Sequence, residues 1–444
     1  MHQFFNPLTE VEKAVLRRQF DASPFAQDKS NRKPTKLAIF DFDSTLFLSP
    51  QLSHTIWHDL LINAVIAENM LGPGWWRDVR SLQLGEKMQG IAWEGYWNED
   101  VVEEAREAIE DPDTMAILLT GRRYHPFHQV IPSMLEAKSL DFDLIGLRPD
   151  PEREHACKWT GHDDLVYNPP SVFSSTMQFK QRFITHLLQR VPSLRQIRMW
   201  DDRKRHVHTF LVFLEALEQR GVLDQGHVKH VLAVLPRYNP QWERDVVERI
   251  LSSHNKVLEE RQLQPYTIVP VPTSTVVVLD KRQAAQLSTI FEAHHREQCS
   301  KPRPGVWAGV GVERPEFFGD HVLVSSSPSH HAMPLTKIGE RYDIRVIAFS
   351  SAAGDSLVLQ VQLRNKKDED WCDETYLLPL WYKPSMSRAL TTLTYHWQRL
   401  PAQDQIILHG KLEHTYRLGL ELLSKPGKRK LEDSYKPDKP TKHL

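Results

Sequence analysis

The sequence predicts an α/β fold, a parallel β-sheet interleaved with helices, followed by a separate α+β module. Three observations predict it. Short apolar runs bounded by turn residues recur at 37–40 (LAIF), 116–119 (AILL) and 197–200 (IRMW), and runs of that length read as buried strands. Helical periodicity fills the intervals, at 57–69, 101–109, 130–137 and 179–189. Strands alternating with helices call for parallel pairing and right-handed crossovers.

The elements follow in order. Residues 1–35 are polar, end in the linker-like run DKSNRKPTK, and form an N-terminal extension. The parallel-sheet domain is expected over 36–215. After it, 216–262 reads as a helical connector, because apolar residues recur there at helical spacing. A loop rich in Pro and Thr (QPYTIVPVPTST) leads into an α+β module at 263–423. Strand-like runs in that module lie at 276–279, 306–310, 321–325, 344–349, 357–363 and 376–381, with a helix at 282–294. The remainder, 424–444, is rich in Lys and Pro and reads as a disordered basic tail.

Composition sets the bounds. At roughly 150 residues per domain, 444 residues make about three units. Apolar residues at 40% are enough for real cores, which excludes wholesale disorder. With 56 Lys and Arg against 57 Asp and Glu, the chain is not basic throughout, so long nucleic-acid wrapping is disfavoured while recognition of a phosphorylated end is not. The three cysteines, Cys157, Cys299 and Cys372, form no CxxC pair, which argues against a zinc ribbon or disulfide scaffold and for a reducing compartment. The N-terminus lacks the charged and apolar regions of a secretory signal, and no apolar run approaches the roughly 20 residues that span a bilayer. The expectation is an intracellular protein, nuclear or cytoplasmic, with no membrane association and with protein partners unknown.

Chemistry concentrates at the ends of the three early runs. The first leads into Asp41-Phe42-Asp43-Ser44-Thr45, the second into Thr120-Gly121-Arg122, the third into Asp201-Asp202-Arg203. In an open parallel sheet, ligands bind beyond the carboxyl ends of the strands, so the three clusters meet at one edge. Lys180 opens a helix between the second and third. This set suits phosphoryl transfer. A carboxylate nucleophile forms an aspartyl-phosphate. Attack on a negatively charged group needs a cation, and Mg2+ takes oxygen ligands of the kind Asp41 and Asp202 supply. A carboxylate two residues after the nucleophile, Asp43, can protonate the leaving group and then activate water. Thr120 and Lys180 can hold phosphate oxygens. Paired aspartates also cap turns and helices, and a helix lysine is often merely solvated, so each residue has a structural reading beside the catalytic one.

These residues carry a resemblance. The segments DFDSTLFLSP, GWW, WNEDVV, LLTGR, FSSTMQFK and MWDDRKRHVHTF, in that order, resemble the haloacid-dehalogenase (HAD) domain of fungal Swiss Army Knife RNA-repair-like proteins. The resemblance spans about 36–215. It implies a HAD-like Rossmannoid sheet with a helical cap inserted at about 48–112. By the match, Asp41 is the nucleophile and Asp43 the general acid/base. Thr120 and Lys180 bind phosphate, and Asp41, Asp43, Asp201 and Asp202 hold Mg2+. Thr45, Arg122, Trp75 and Trp76 are then substrate-binding candidates. One departure appears at His206, where many relatives carry a further acid four residues after the metal-binding Asp. The implied activity is Mg2+-dependent phosphohydrolysis, with phosphorylated RNA or nucleotide ends as substrate. The alternatives are a catalytically diverged nucleic-acid- or protein-binding scaffold and a small-metabolite phosphatase.

Five of the twelve tryptophans, Trp57, Trp75, Trp76, Trp93 and Trp97, fall in the cap insert. They read first as the core of the cap, and second as platforms for stacked bases. Trp75 and Trp76 follow Gly72-Pro73-Gly74, and adjacent residues of a helix cannot both face inward, so this pair is the one expected to be exposed. His155, Cys157, His162 and Asp163 cluster in a second insertion, but no Cys pair completes a zinc set. None of the 22 histidines is followed two residues later by Ser or Thr, so the C-terminal module lacks the paired His-x-Ser/Thr motifs of a phosphoesterase and reads as a binding or structural module. The tail holds seven Lys or Arg against three Asp or Glu, and Lys428-Arg429-Lys430 reads either as a nuclear-import signal or as plain solubilising charge.

Overall fold

A computed structural model describes residues 7–28, 32–150, 171–232, 234, 239–299, 315–325, 338–352, 356–383 and 390–423. The histidine and cysteine cluster at 155–163, the strand-like run at 306–310 and the basic tail lie outside the described residues.

The chain opens with α1 (Glu10–Asp21) and α2 (Pro24–Gln27). Thr9 and Glu12 form a reciprocal capping box at the start of α1. Val15, Leu16 and Phe20 of this helix are buried in the main core, so the N-terminal extension packs onto the domain it precedes. The sheet domain then runs β1 (Lys36–Phe40), α3 (Asp59–Ile66), α4 (Glu86–Gly90), α5 (Glu99–Glu110), β2 (Thr114–Arg123), α6 (Tyr124–Ala137), β3 (Leu144–Arg148), α7 (Thr176–Arg190), β4 (Gln196–Asp201), α8 (Lys204–Glu218), β5 (Gln225–His230) and α9 (Pro240–Glu260).

Five strands pair in parallel in the order β3-β2-β1-β4-β5. Chain order reverses beside β1, which makes a topological switch point between β1 and β4. The sheet is an α/β Rossmann-like layer, as the apolar runs predict. Strand alternation divides its side chains between two cores. Leu37, Ile39, Ile117, Ile197 and Met199 pack with α1, α7 and α8 on one face. Ala38, Phe40, Ala116, Leu118 and Trp200 pack with α5 and α6 on the other.

Two boundaries differ from the sequence reading. The stretch 216–262 is not purely a helical connector, because β5 is the fifth strand of the sheet, paired with β4 from Gln196↔Gln225 to Asp201↔His230. Within the insert at 48–112, α5 buries Val101, Val102 and Ala105 against the sheet and serves as its β1-to-β2 crossover. Only the shorter helices and loops before it wrap the carboxyl edge. There Trp57, Trp75, Leu61 and Val65 form a small core with Val246, Val247 and Ile250 of α9.

The C-terminal module comprises β6 (Tyr266–Leu279), α10 (Lys281–Cys299), β7 (Glu316–Phe317), β8 (His321–Ser325), β9 (Arg341–Ala352), β10 (Ser356–Asn365), β11 (Thr375–Tyr382), β12 (Gln398–Arg399) and β13 (Ile406–Leu422). All its pairings are antiparallel. The path β10-β11-β8-β6-β13-β9 returns to β10, so six strands close on themselves. Closure removes sheet edges, and Val277, Ile344, Val346, Leu359, Leu378 and Leu412 fill the enclosed core. The Pro-rich stretch read as a loop is the first half of β6. Pro270 and Pro272 lie where β6 pairs with β13, whereas β8 joins it only at Thr275–Val278. Among the described residues, one side of this half strand has no strand neighbour, and that is where a sheet tolerates a residue with no N–H.

Candidate active site

Phe40 ends β1 and the chain turns at once. Leu46 N–H donates to the Asp41 carbonyl and Phe47 N–H to the Phe42 carbonyl, while Ser44 takes the left-handed conformation at φ 59°. A non-glycine residue in that region signals a tightly specified loop. The turn presents Asp41 and Asp43 at the carboxyl edge. β4 ends beside it with Asp201 and Asp202, and α7 brings Lys180 from the adjoining face.

Lys180 is buried between two carboxylates, with Nζ 2.9 Å from Asp41 Oδ1 and 3.2 Å from Asp201 Oδ2. Phe42 N–H also donates to Asp41 Oδ1, and Arg203 approaches Oδ2 at 3.5 Å. Arg203 N–H donates to Asp201 Oδ1. His206 Nδ1 stands 3.4 Å from Asp201 Oδ2, without completing a hydrogen bond.

Burial pushes the Asp41 carboxyl up; Lys180 pulls it down, and the charge on Asp201 adds to the rise. Burial also works against charge on Asp201, but Lys180, His206 and Arg203 outweigh it and hold that carboxyl low. Asp202 is pushed up to about 6, first by burial and then by Asp41 and Asp201.

The carboxylates of Asp41, Asp201 and Asp202 each offer one oxygen, all within 4.8 Å of one another. Asp202 Oδ1 is buried with no hydrogen-bond partner. Crowded like charges and an orphaned buried oxygen fit a hard divalent cation that takes oxygen ligands. Asp43, expected among the metal residues, is not in this group. Its carboxylate accepts from Arg122 Nε at 3.0 and 3.1 Å, from Arg122 Nη2 at 2.8 Å and from Ser49 Oγ at 2.5 Å. Burial works to raise the Asp43 carboxyl, yet Arg122 and Ser49 prevail and hold it below the usual range.

Arg122, expected to meet substrate, is therefore spent largely on Asp43. It also donates to Ser81 Oγ and lies between the rings of Trp76 and Phe127, at 5.2 and 4.7 Å from their centroids. Thr120 is fully buried, and its Oγ1 accepts from Arg122 N–H. Thr45 is buried as well, with Oγ1 unpartnered, and does not line the cleft. Gly121 is required by space, since a Cβ there would sit 2.6 Å from the Thr176 side chain.

A cavity of about 380 Å³ opens in front of these groups, lined by Asp41, Asp43, Asp202, Arg203, Trp76 and Arg122. Glu68, Arg77 and Arg148 also line it. The tryptophan pair splits. Trp75 is buried and donates from Nε1 to the Pro50 carbonyl, whereas Trp76 is half-buried and faces the cleft. Gly74, at φ +92°, sets the turn that divides them. Trp57, Trp93 and Trp97 are all buried, the core reading of the insert. Arg77, Arg148 and Arg203 were not singled out from sequence; the only signal was Arg203 directly after the paired aspartates.

Residues 49–256 match HAD domain family 1 of Swiss Army Knife RNA repair proteins. The resemblance drawn from the sequence thus holds over nearly half the chain, and the matched span runs past 215 to include β5 and most of α9. Thr120, Lys180, Asp201 and Asp202 fall within it, whereas Asp41 and Asp43 precede it. An uncharacterized protein of Saccharomyces cerevisiae, YMR265C, is 27% identical over 185 residues, 41% of this chain and 38% of the yeast one. The match therefore spans well under half of that relative's length. No solved structure matches.

Proposed function

With that HAD domain as the premise, we propose a Mg2+-dependent phosphohydrolase that acts on phosphorylated nucleic-acid ends through an aspartyl-phosphate at Asp41. The observation that carries the reading is the buried constellation of Asp41, Lys180, Asp201 and Asp202 at the switch point of a parallel sheet. Salt-bridge networks of pure scaffolding rarely leave a buried carboxylate oxygen such as Asp202 Oδ1 without a hydrogen-bond partner.

Asp41, Asp201 and Asp202 would hold the metal. When bound, Mg2+ supplies positive charge against the phosphoryl oxygens. Lys180 anchors Asp41 by one oxygen, which leaves the other to attack phosphorus. The P–O ester bond breaks, and the departing oxygen takes up a proton. Water then attacks the phosphorus of the aspartyl-phosphate, losing its proton to a base, and inorganic phosphate leaves as the Asp41 carboxylate is restored. Asp43, held ionised by Arg122, is ready to accept that proton. For it to donate one in the first step, its contact with Arg122 must loosen. Arg203, about half exposed at the cleft mouth, is placed to meet phosphate oxygens. A cleft of about 380 Å³ suits a single terminal residue rather than a long enclosed strand.

The test is direct. Purified full-length protein with Mg2+ is expected to release phosphate from p-nitrophenyl phosphate or an end-phosphorylated oligonucleotide, and Asp41→Asn is expected to abolish release. Equal inertness of both proteins on such substrates would refute the reading for those substrates.

A further inference from the structure

The cleft is also lined by guanidinium groups that the chemistry at Asp41 does not use. Arg77 and Arg148 both line the cavity. Among the described residues, neither is hydrogen-bonded or ion-paired to Asp41, Asp201 or Asp202. Arg77 pairs with Glu68 at 2.6 Å, and Glu68 is half exposed. Arg148 is 8% exposed; its Nη2 donates to Ser171 Oγ and the Phe173 carbonyl, while its Nε is buried with no partner. Arg123, buried and close enough to feel their charge, pairs with Asp150 at 3.0 Å, and its Nε has no hydrogen-bond partner. Among the described residues, three guanidiniums thus share two carboxylates, Glu68 and Asp150. They also crowd one another: burial and then the charge of Arg77 pull both Arg123, to about 10, and Arg148 below the usual arginine range.

An unpartnered donor on the lining residue Arg148, together with positive charge in excess of the nearby carboxylates among the described residues, calls for an anion. The terminal phosphate is already served by Asp41, Lys180, Arg203 and the metal site. Trp76 also lines the cleft, with the Arg122 guanidinium over its ring. We propose that Arg77 and Arg148 form a second phosphate subsite, so that the preferred substrate carries a terminal phosphomonoester and another phosphate about one sugar away. The identity of the first phosphate rests on the phosphohydrolase reading. The subsite itself rests on the arginine wall. Glu68 occupies Arg77 until the second phosphate displaces it.

The experiment measures equilibrium binding to the full-length Asp41→Asn protein in Mg2+, with adenosine 3′,5′-bisphosphate against the 3′- and 5′-monophosphates. The bisphosphate is expected to bind on the order of tenfold more tightly, the scale of one charge-assisted contact. Adding Arg77→Gln is expected to remove that preference, and Glu68→Gln, which frees Arg77, to widen it. Glu68 is exposed enough that its variant keeps the test alive should Arg77→Gln misfold, which circular dichroism reports. Equal affinity for mono- and bisphosphates, or a preference unmoved by both variants, overturns the subsite. A parallel arm with fructose 1,6-bisphosphate against fructose 6-phosphate separates the sources: preference in both arms supports any second phosphate at this spacing, and preference only for the nucleotide supports a nucleic-acid backbone. Wild-type protein that discriminates in binding yet releases no phosphate keeps the subsite and sinks the phosphohydrolase reading. Wild-type protein that releases phosphate without discriminating does the reverse.

Discussion

The two β-systems of this chain solve the same problem in opposite ways. The parallel sheet stays open and is covered by helices, and its strand order reverses beside β1. The antiparallel system closes into a ring of six strands. Reversal splays the connections at the carboxyl edge and leaves a cleft, which is filled with charge: Lys180, Asp41 and Asp201 are all at most 4% exposed. The closed ring is filled chiefly with Val, Ile and Leu. Among the described residues, the one acidic group able to hold a metal lies in the open sheet. An open sheet accepts buried charge at one edge and gains a site; a closed ring gains packing and offers its outer surface for contacts.

The largest expected effect breaks the charged side of this contrast. Lys180→Met removes the cation shared by two buried carboxylates. Breaking such a pair costs about 3–5 kcal/mol, and losing a preorganised charge at the reacting group costs about 10²–10³ in kcat. Thermal melts together with phosphate release below the melting range check both. Full activity in a folded Lys180→Met protein would remove lysine from the machinery.

The apolar side is broken by Leu359→Ala, which empties a fully buried position of the ring. The expected loss is about 2–5 kcal/mol. If the ring is an accessory, phosphate release at low temperature stays at the wild-type level while the melting transition falls. A parallel loss of activity at temperatures where the protein is folded would show that the ring supports the cleft.

Glu243 sharpens the contrast at the joint between the two systems. It is fully buried on α9, and its Oε2 accepts from Ser53 N–H at 2.7 Å and Trp57 Nε1 at 3.0 Å, while Oε1 has no partner. The loop it braces pairs with β13, His58 N–H donating to the Leu418 carbonyl and Leu418 N–H to the Ile56 carbonyl. Burial raises its carboxyl to about 7, against the hydrogen bonds that lower it. A raised acid favours folding while protonated, so this contribution is full below about 4.5 and is lost as pH rises through about 7. Glu243→Gln keeps an acceptor without the charge. It is expected to stabilise the protein by about 3 kcal/mol above pH 7, with the gain vanishing toward pH 4.5. Chemical denaturation at pH 5 and pH 8 reads the difference.

What the sequence made legible follows the same division. β1 and β2 are buried on both faces, so they appear as unbroken apolar runs, whereas β4 is interrupted by the exposed Arg198; each of the three leads into the polar residues that reach the site. β5 reads QGHVKH because it lies at the edge of the sheet, and no apolar run announced it. The first half of β6 hid behind its prolines, and β13, 17 residues long, alternates too loosely to declare itself. Asp41, Asp201 and Asp202 were legible because each closes or follows a strand at a mechanistically telling place, and Lys180 because it lies near the start of the helix between the second and third polar clusters. The arginine wall was not, since Arg77, Arg123 and Arg148 come from separate segments and only folding brings them together. The pairing of Asp43 with Arg122 was equally invisible, because nothing local links residues 79 positions apart.

The smallest expected effect compares two neighbours. Trp75 and Trp76 share a chemistry and a turn, yet one joins the core with α9 and the other faces the cleft. Trp75→Ala empties a fully buried site and strands the Pro50 carbonyl, so it is expected to cost about 3–5 kcal/mol of stability. Trp76→Ala removes only a partly buried ring from the edge of that core. Its loss removes an aromatic face beside Arg122 and a stacking platform worth about 1–3 kcal/mol per base. The expected result is a raised KM for an end-phosphorylated oligonucleotide with a smaller change for p-nitrophenyl phosphate, which has no base, and a melting curve close to wild type. Equal losses on both substrates would mean that Trp76 acts by holding Arg122 against Asp43 rather than by meeting a base, and the cleft would then recognise phosphate alone.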